Sequence, residues 1–221
     1  PSLWDEVTLN CRGLVLDVQR EEVVSACLRK WFNWEEHVQH AWPIPDELPI
    51  IQEKLDGWYA SLYWLKNEPY IATRGSFTSP GAEWATEWLR TAMVFMEPEE
   101  WEWLRNPDVT HVFEIVSSVT RIVVQYDYDG LVHLATLTKD TGKDVWPLTT
   151  PASLRHAALI PTSDYQALKD QNEENAEGFV IFFPKAQTRM KIKFADYVLR
   201  HRLFTGLSVH ALWEMFRDGM T

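Results

Sequence analysis

At 221 residues and 46% hydrophobic content, the chain is large enough to bury a sizeable core, which excludes disorder as a description of the whole. A formal net charge of -11 excludes broad, non-specific adhesion to nucleic acid, which needs an excess of lysine and arginine, but leaves room for a local anion site. Two cysteines, Cys11 and Cys27, have neither the number nor the spacing of a disulfide framework or zinc site, and no run approaches a membrane span, so a reducing, cytoplasmic setting is expected.

The chain opens at Pro1 rather than Met, which reads as a processed product or a piece of something longer. From Thr8 to Val18 the run TLNCRGLVLDV mixes β-branched and apolar residues and predicts a hairpin or strand pair around Arg12 and Gly13. VVSACLRKWFNW, with Lys30 among aromatics, predicts a short strand or an irregular aromatic plug. The prolines of AWPIPDELP predict an extended connector that delivers the chain to Glu53. There follows Glu53-Lys54-Leu55-Asp56-Gly57, a lysine flanked by carboxylates with a glycine beyond. Such a pentapeptide is most often an exposed turn, yet lysine can act as a nucleophile and glycine lets a phosphate approach the backbone.

WYASLYWLKN and YIATRGS predict a β-hairpin turned at Asn67-Glu68-Pro69 with Lys54 at its mouth, and Trp84, Trp88, Leu89 and Ala92 predict an amphipathic helix over 82–96. Glu97, Glu99, Glu100 and Glu102 form an acidic knot. Asp108 to Val116 predicts a strand carrying Glu114; Arg121 to Tyr126 with Leu131 to Leu137 predicts a hairpin turned at 127–130. A helical turn is expected at 153–156 and a helix over 164–172, capped by Thr162 or Ser163. GFVIFFP and MKIKFADYV predict two strands, the second with Lys191 and Lys193 on one face, and 207–216 has helical periodicity.

Lys185, Arg189, Lys191, Lys193, Arg200 and Arg202 gather near the end of an otherwise acidic chain, a distribution compatible with a focused anion site. His37 and His40 lack a third partner at metal-site spacing and read as surface residues. The twelve tryptophans read as core first.

Arg12, Lys30, Lys54 with Asp56 and Gly57, Arg74-Gly75-Ser76, Phe113-Glu114, Glu177-Gly178 and Lys191-x-Lys193 occur in an order that resembles the covalent nucleotidyltransferases, the superfamily of ATP-dependent ligases and capping enzymes. CRGLVLD, KWFNWEE, EKLDG, FEIVSSVTRIVVQY, EGFVIF and MKIKFADYV look most like the RNA ligase 1 branch of T-even phages and the ligase domain of fungal tRNA ligases, a resemblance that runs from Cys11 to Val198. It implies an α+β fold, antiparallel sheets flanked by helices with an ATP pocket between them. It further implies one monomeric adenylyltransferase domain over 1–221, in which 1–50 contributes to the triphosphate site and 199–221 forms a short helical tail.

The activity implied is ATP-dependent sealing of 5′-phosphate and 3′-hydroxyl RNA ends, through a lysyl-AMP and an RNA-adenylate. Carried over by resemblance, Lys54 is the nucleophile, Arg12 and Lys30 hold the β- and γ-phosphates, and Arg74 and Glu114 contact the ribose. Glu53 meets adenine through its backbone, Asp56 and Gly57 shape the turn, Lys191 and Lys193 neutralise the α-phosphate, and Glu177 holds Mg2+ or Mn2+ through water. Attack needs a neutral amine, so Lys54 is expected to have its pKa lowered by Lys191, Lys193 and the metal. A DNA ligase, a GTP-using capping enzyme and a nucleotide- or RNA-end-binding module without turnover are the alternatives. Arg74 stands where the phage branch commonly has lysine, and only a short tail follows Val198, so choice of RNA is left to a further domain or partner.

Overall fold

A computed structural model describes residues 4–206. The N-terminal part is built from short pieces: helix α1 (Glu6–Leu9), a hairpin of β1 (Val15–Asp17) and β2 (Glu22–Ser25), then β3 (Phe32–Asn33) and helix α2 (Trp34–His40). The strand pair expected over 8–18 is therefore shifted along the chain. Asp5 accepts the Thr8 N–H at 2.7 Å and starts α1 where a strand was expected, leaving Val15–Asp17 to pair with the following segment. α2 was not anticipated, although Glu36, three residues on, accepts the Asn33 N–H at 2.7 Å in a pattern that the sequence spells out.

Two larger sheets follow. The first orders as β3-β11-β10-β4, from β4 (Ile50–Lys54), β10 (Gly178–Phe183) and β11 (Thr188–Lys193); β3 joins its edge in parallel. The second orders as β6-β5-β7-β8-β9, from β5 (Trp58–Leu65), β6 (Glu68–Thr73), β7 (Val109–Val116), β8 (Gly130–Thr138) and β9 (Arg155–His156). The β5–β6 hairpin turns on Lys66 and Asn67, both at positive φ, one position earlier than expected. Pro69 then lies inside β6, an edge strand, where its missing N–H costs little.

Helix α3 (Pro80–Met93) begins at Ser79, whose hydroxyl accepts the Ala82 N–H, and buries Ala85, Leu89 and Met93 against the second sheet beside Leu62, Ile71 and Phe113. The acidic knot is the start of helix α4 (Pro98–Arg105): Pro98 opens it, Glu100 accepts the Glu97 N–H at 3.0 Å, and carboxylates in a first turn suit the helix dipole. Leu104 and the Trp101 indole, which donates to the Met93 carbonyl at 2.9 Å, fix α4 to the same core. A second core lies on the first sheet, where Ile51, Phe179, Ile181, Met190 and Ile192 pack together.

Four expectations are corrected. Residues 121–126 are a loop, because the Asp56 carboxylate accepts the N–H groups of Val123 and Val124; β8 pairs with β7 instead. Residues 155–156 form strand β9 beside β8 rather than a helical turn, and 164–172 forms turns only. MKIKFADYV is strand only to Lys193, and Ala195 begins helix α5 (Ala195–Gly206). The periodicity at 207–216 lies outside the described residues. Among the described residues no helix is long and apolar enough to cross a membrane.

Gly178 enters β10 at φ +142, and a Cβ there would collide with the Ile192 carbonyl oxygen. Gly178→Ala should cost roughly 3 kcal/mol of stability. Urea denaturation checks this, and a midpoint equal to the parent's would contradict it.

Candidate active site

Strand register builds the centre of the site. β10 lies between β4 and β11, with Gly178 opposite Lys54 on one side and opposite Lys193 on the other. The preceding residue, Glu177, therefore meets both lysines: its Oε2 is 2.7 Å from Lys54 Nζ and its Oε1 is 2.8 Å from Lys193 Nζ. The Glu177 side chain is only 4% exposed. Burial pulls the Lys54 ammonium downward, but the charge and hydrogen bond of Glu177, with Asp56 behind it, outweigh that and hold the group above the ordinary lysine range. The expectation of a lowered Lys54 pKa is thus corrected for the free protein, where Lys54 is a paired ammonium.

Asp56 and Gly57 make the turn from β4 into β5. Gly57 must be glycine, since a Cβ would run into the Ile115 carbonyl oxygen; its N–H donates to Glu114 Oε1 at 3.1 Å. The Asp56 carboxylate is buried and fully engaged: Oδ2 accepts from Val123 and Val124 N–H, and Oδ1 accepts from the Tyr197 hydroxyl at 2.7 Å. The Tyr126 hydroxyl accepts the Asp56 N–H at 2.8 Å. Asp56 is therefore a positioning residue. Tyr126 and Tyr197 were missed because each reaches the turn across the fold from a distant part of the chain.

The two sheets close on a cavity of about 200 Å3. Arg12, Lys30, Lys54, Arg74 and Lys191 bring five cations to its wall, with Glu53 and Glu114 as the acids and Leu28, Trp31, Tyr59 and Leu134 as apolar lining. Glu114 gets there by strand alternation: Phe113 and Ile115 face the α3 core, and the residue between them faces the cavity. Burial lowers Arg12, with Arg74 adding repulsion, and lowers Lys30, with Arg12 adding repulsion. Burial and then Lys54 and Lys193 pull Lys191 down to about 8. Burial pushes Glu114 up to about 8 despite Lys54. This crowding of cations with one carboxyl held largely neutral makes an anion site in an acidic protein.

Asp56, Gly57, Glu177 and Lys193 do not line this cavity; they lie behind or beside it. Glu53 faces it while Oε1 accepts the Ala158 N–H at 2.7 Å and its own N–H donates to the Ala158 carbonyl. The Tyr59 hydroxyl, buried and without a partner, belongs to the lining and was not singled out from the sequence. Arg189, grouped with the basic strip, is instead a buried ion-pair partner of Asp144. His37 and His40 both pack on Trp42, and no group of three metal-ligating side chains occurs among the described residues. Glu177, the carboxylate expected to hold a metal, has both oxygens on lysine ammoniums and lies outside the lining of this cavity.

A two-sheet α+β fold with a cation-lined cavity between the sheets is that of the nucleotidyltransferase-type ligases. Residues 10–202 match the RNA ligase family, and the chain belongs to that family, as its motif order led us to expect. A protein of Autographa californica nuclear polyhedrosis virus described as a bifunctional polynucleotide kinase/RNA ligase is 26% identical over 216 residues, which cover 89% of this chain and 31% of the viral protein. The chain thus spans less than a third of that relative. An apo variant of Naegleria gruberi RNA ligase superimposes with a TM-score of 0.61 at 12% identity, over 80% of this chain and 57% of its own. A variant of the same ligase with ATP and Mn gives 0.53 at 15% identity, over 70% and 52%. At these identities the likeness shows the fold.

Glu114 yields a pH prediction. Its folded-state value, about 8, lies above the ordinary 4.5, so between those limits the folded state binds more protons and stability falls as pH rises. Glu114→Gln should remove that slope and leave the unliganded protein more stable than the parent at pH 8. Denaturant melts at pH 5, 6.5 and 8 read the difference, and parallel slopes would refute it.

Proposed function

We propose that this chain is the adenylyltransferase domain of an ATP-dependent RNA ligase, and that Lys54 carries AMP. The observation that bears most weight is the row Lys54, Glu177, Lys193 at the edge of a cavity walled by Arg12, Lys30, Arg74 and Lys191. ATP gives Lys54-AMP and pyrophosphate, AMP passes to an RNA 5′-phosphate, and a 3′-hydroxyl displaces AMP to seal the strand. Most of the catalysis is positioning and preorganised positive charge.

Arg12 and Lys30, in the wall of the same cavity, suit the β- and γ-phosphates; the arginine fork meets two oxygens at once. Arg74 and Glu114, which line the same cavity, are assigned to the ribose, and a largely neutral Glu114 carboxyl can donate as well as accept. Lys54 must lose its proton before attack, and Lys193 offers Glu177 an alternative pairing when it does. A divalent cation, Mg2+ or Mn2+, would be held through water by Glu177 and supplies charge neutralisation to the phosphates. Because Lys54, Glu177, Lys191 and Lys193 are all in place, a working enzyme is favoured over a module that only binds nucleotide.

Incubation with ATP labelled in the α-phosphate should leave acid-precipitable label on the parent and none on Lys54→Ala, with GTP as the parallel nucleotide. Equal labelling of both proteins would end the assignment. A second outcome concerns pH. Lys191 is a cation only below about 8, so affinity for α,β-methylene ATP should fall as pH rises through that value, by up to about tenfold per unit. Calorimetric titrations from pH 6.5 to 9.5 test this, and Lys191→Arg should flatten the profile.

A further inference from the structure

Beside the nucleotide cavity lies a second one of about 500 Å3, and Lys191 stands in the wall of both. Its lining follows from local sequence. β11 ends at Lys193 and α5 begins at Ala195, so only Phe194 separates the lysine pair from the helix. On α5, Val198, His201 and Arg202 are spaced i, i+3 and i+4, which places them on one face, and that face lines the cavity with Lys191 and Lys193. Asn33 stands opposite, in register with Lys191 on the neighbouring strand β3.

The chemistry of this lining is specific. Lys191 and Arg202 face a single carboxylate, Glu35, with Lys193 already paired to Glu177 and His201 present as a hydrogen-bonding ring, so the balance of the lining is cationic. Asn33 adds a second feature: its Oδ1 is buried without a partner, while its Nδ2 donates to Glu36 Oε2 at 2.7 Å and so fixes which way the amide faces. A stranded acceptor requires a donor. A phosphate dianion has none, whereas a ribose hydroxyl does.

We propose that the second cavity binds the 5′-phosphorylated end of the RNA strand, its phosphate against Lys191, His201 and Arg202 and a ribose hydroxyl donating to Asn33 Oδ1. The inference rests on the reading of Lys54 as the carrier of AMP. A phosphate beside Lys191 is next to the first cavity, where AMP would be held, and one cation then neutralises both reacting groups. In the transfer, an oxygen of the RNA phosphate forms a bond to the α-phosphorus and the P–N bond to Lys54 breaks. Its electron pair returns to Nζ, which takes up two protons from solvent to become the ammonium again and restores the ion pair with Glu177.

The test separates the two chemical steps. Purified lysyl-AMP protein is mixed with a 5′-phosphorylated RNA oligonucleotide, and RNA-adenylate is followed over a single turnover. In His201→Ala/Arg202→Ala, adenylylation by ATP should stay within about twofold of the parent while transfer at limiting RNA falls at least about tenfold; Arg202→Lys should retain most of it. Asn33→Leu should narrow the preference for RNA over a 5′-phosphorylated DNA strand, and an undiminished preference overturns the hydroxyl contact. If the double variant slows both steps alike, the cavity serves the pyrophosphate of ATP and the proposal is overturned; unchanged transfer overturns it too. A parent protein that forms no lysyl-AMP defeats the underlying reading and the proposal with it, and that failure is seen before RNA is added.

Discussion

Glu177, buried between two lysine ammoniums, is the contact on which the rest of the site depends. A carboxylate so far from water is tolerable only when paired on both oxygens, and the pairing is achieved by strand register. β10 must lie between β4 and β11, and Gly178 must open it, or one lysine is left without its anion. Fold and charge state are therefore one problem here. The Asp56 hydrogen bonds to Val123, Val124 and Tyr197 extend the same logic, tying the turn after Lys54 to a loop and to α5.

The charge along β11 explains why Lys191 differs from its neighbours. Arg189, Lys191 and Lys193 alternate onto one face of the strand. Asp144 neutralises the first and Glu177 the last, and the middle cation has no carboxylate at ion-pair distance among the described residues. Burial and the neighbouring lysines accordingly pull Lys191 down, and an arriving anion would reverse that pull. Its place in the walls of two cavities gives that responsiveness two possible partners.

The sequence was most legible where pattern and local chemistry agreed. GFVIFF and TRMKIK alternate as strands should, and the spacing of Trp84, Trp88 and Leu89 made α3 plain. The order of motifs assembled Arg12, Lys30, Lys54, Arg74, Glu114 and Lys191 in advance, and the fold brings these six around one cavity. α2 and α4 were readable in principle, from Asn33 with Glu36 and from Glu97-Pro98 with Glu100, but acidic residues next to tryptophans obscured the caps. The loop at 121–126 was not readable, because Val123 and Val124 give their N–H groups to a carboxylate far away in sequence rather than to a partner strand. The protonation of Lys54 was hidden for the same reason, since Glu177 reaches it only through the pairing of strands.

The two-residue strand β3 has a consequence beyond placing Asn33. It runs parallel to β11 and covers that strand's outer side at Met190 and Lys191. Without Phe32 and Asn33, the strand carrying the lysine pair would be the sheet's border, with unpaired N–H and C=O groups on offer to any other extended chain. The N-terminal segment, which also supplies Arg12 and Lys30, therefore acts as a guard against self-association as well as a wall of the cavity. A shortened form beginning after Asn33 would bare that border and at the same time take two cations, Arg12 and Lys30, out of the cavity wall.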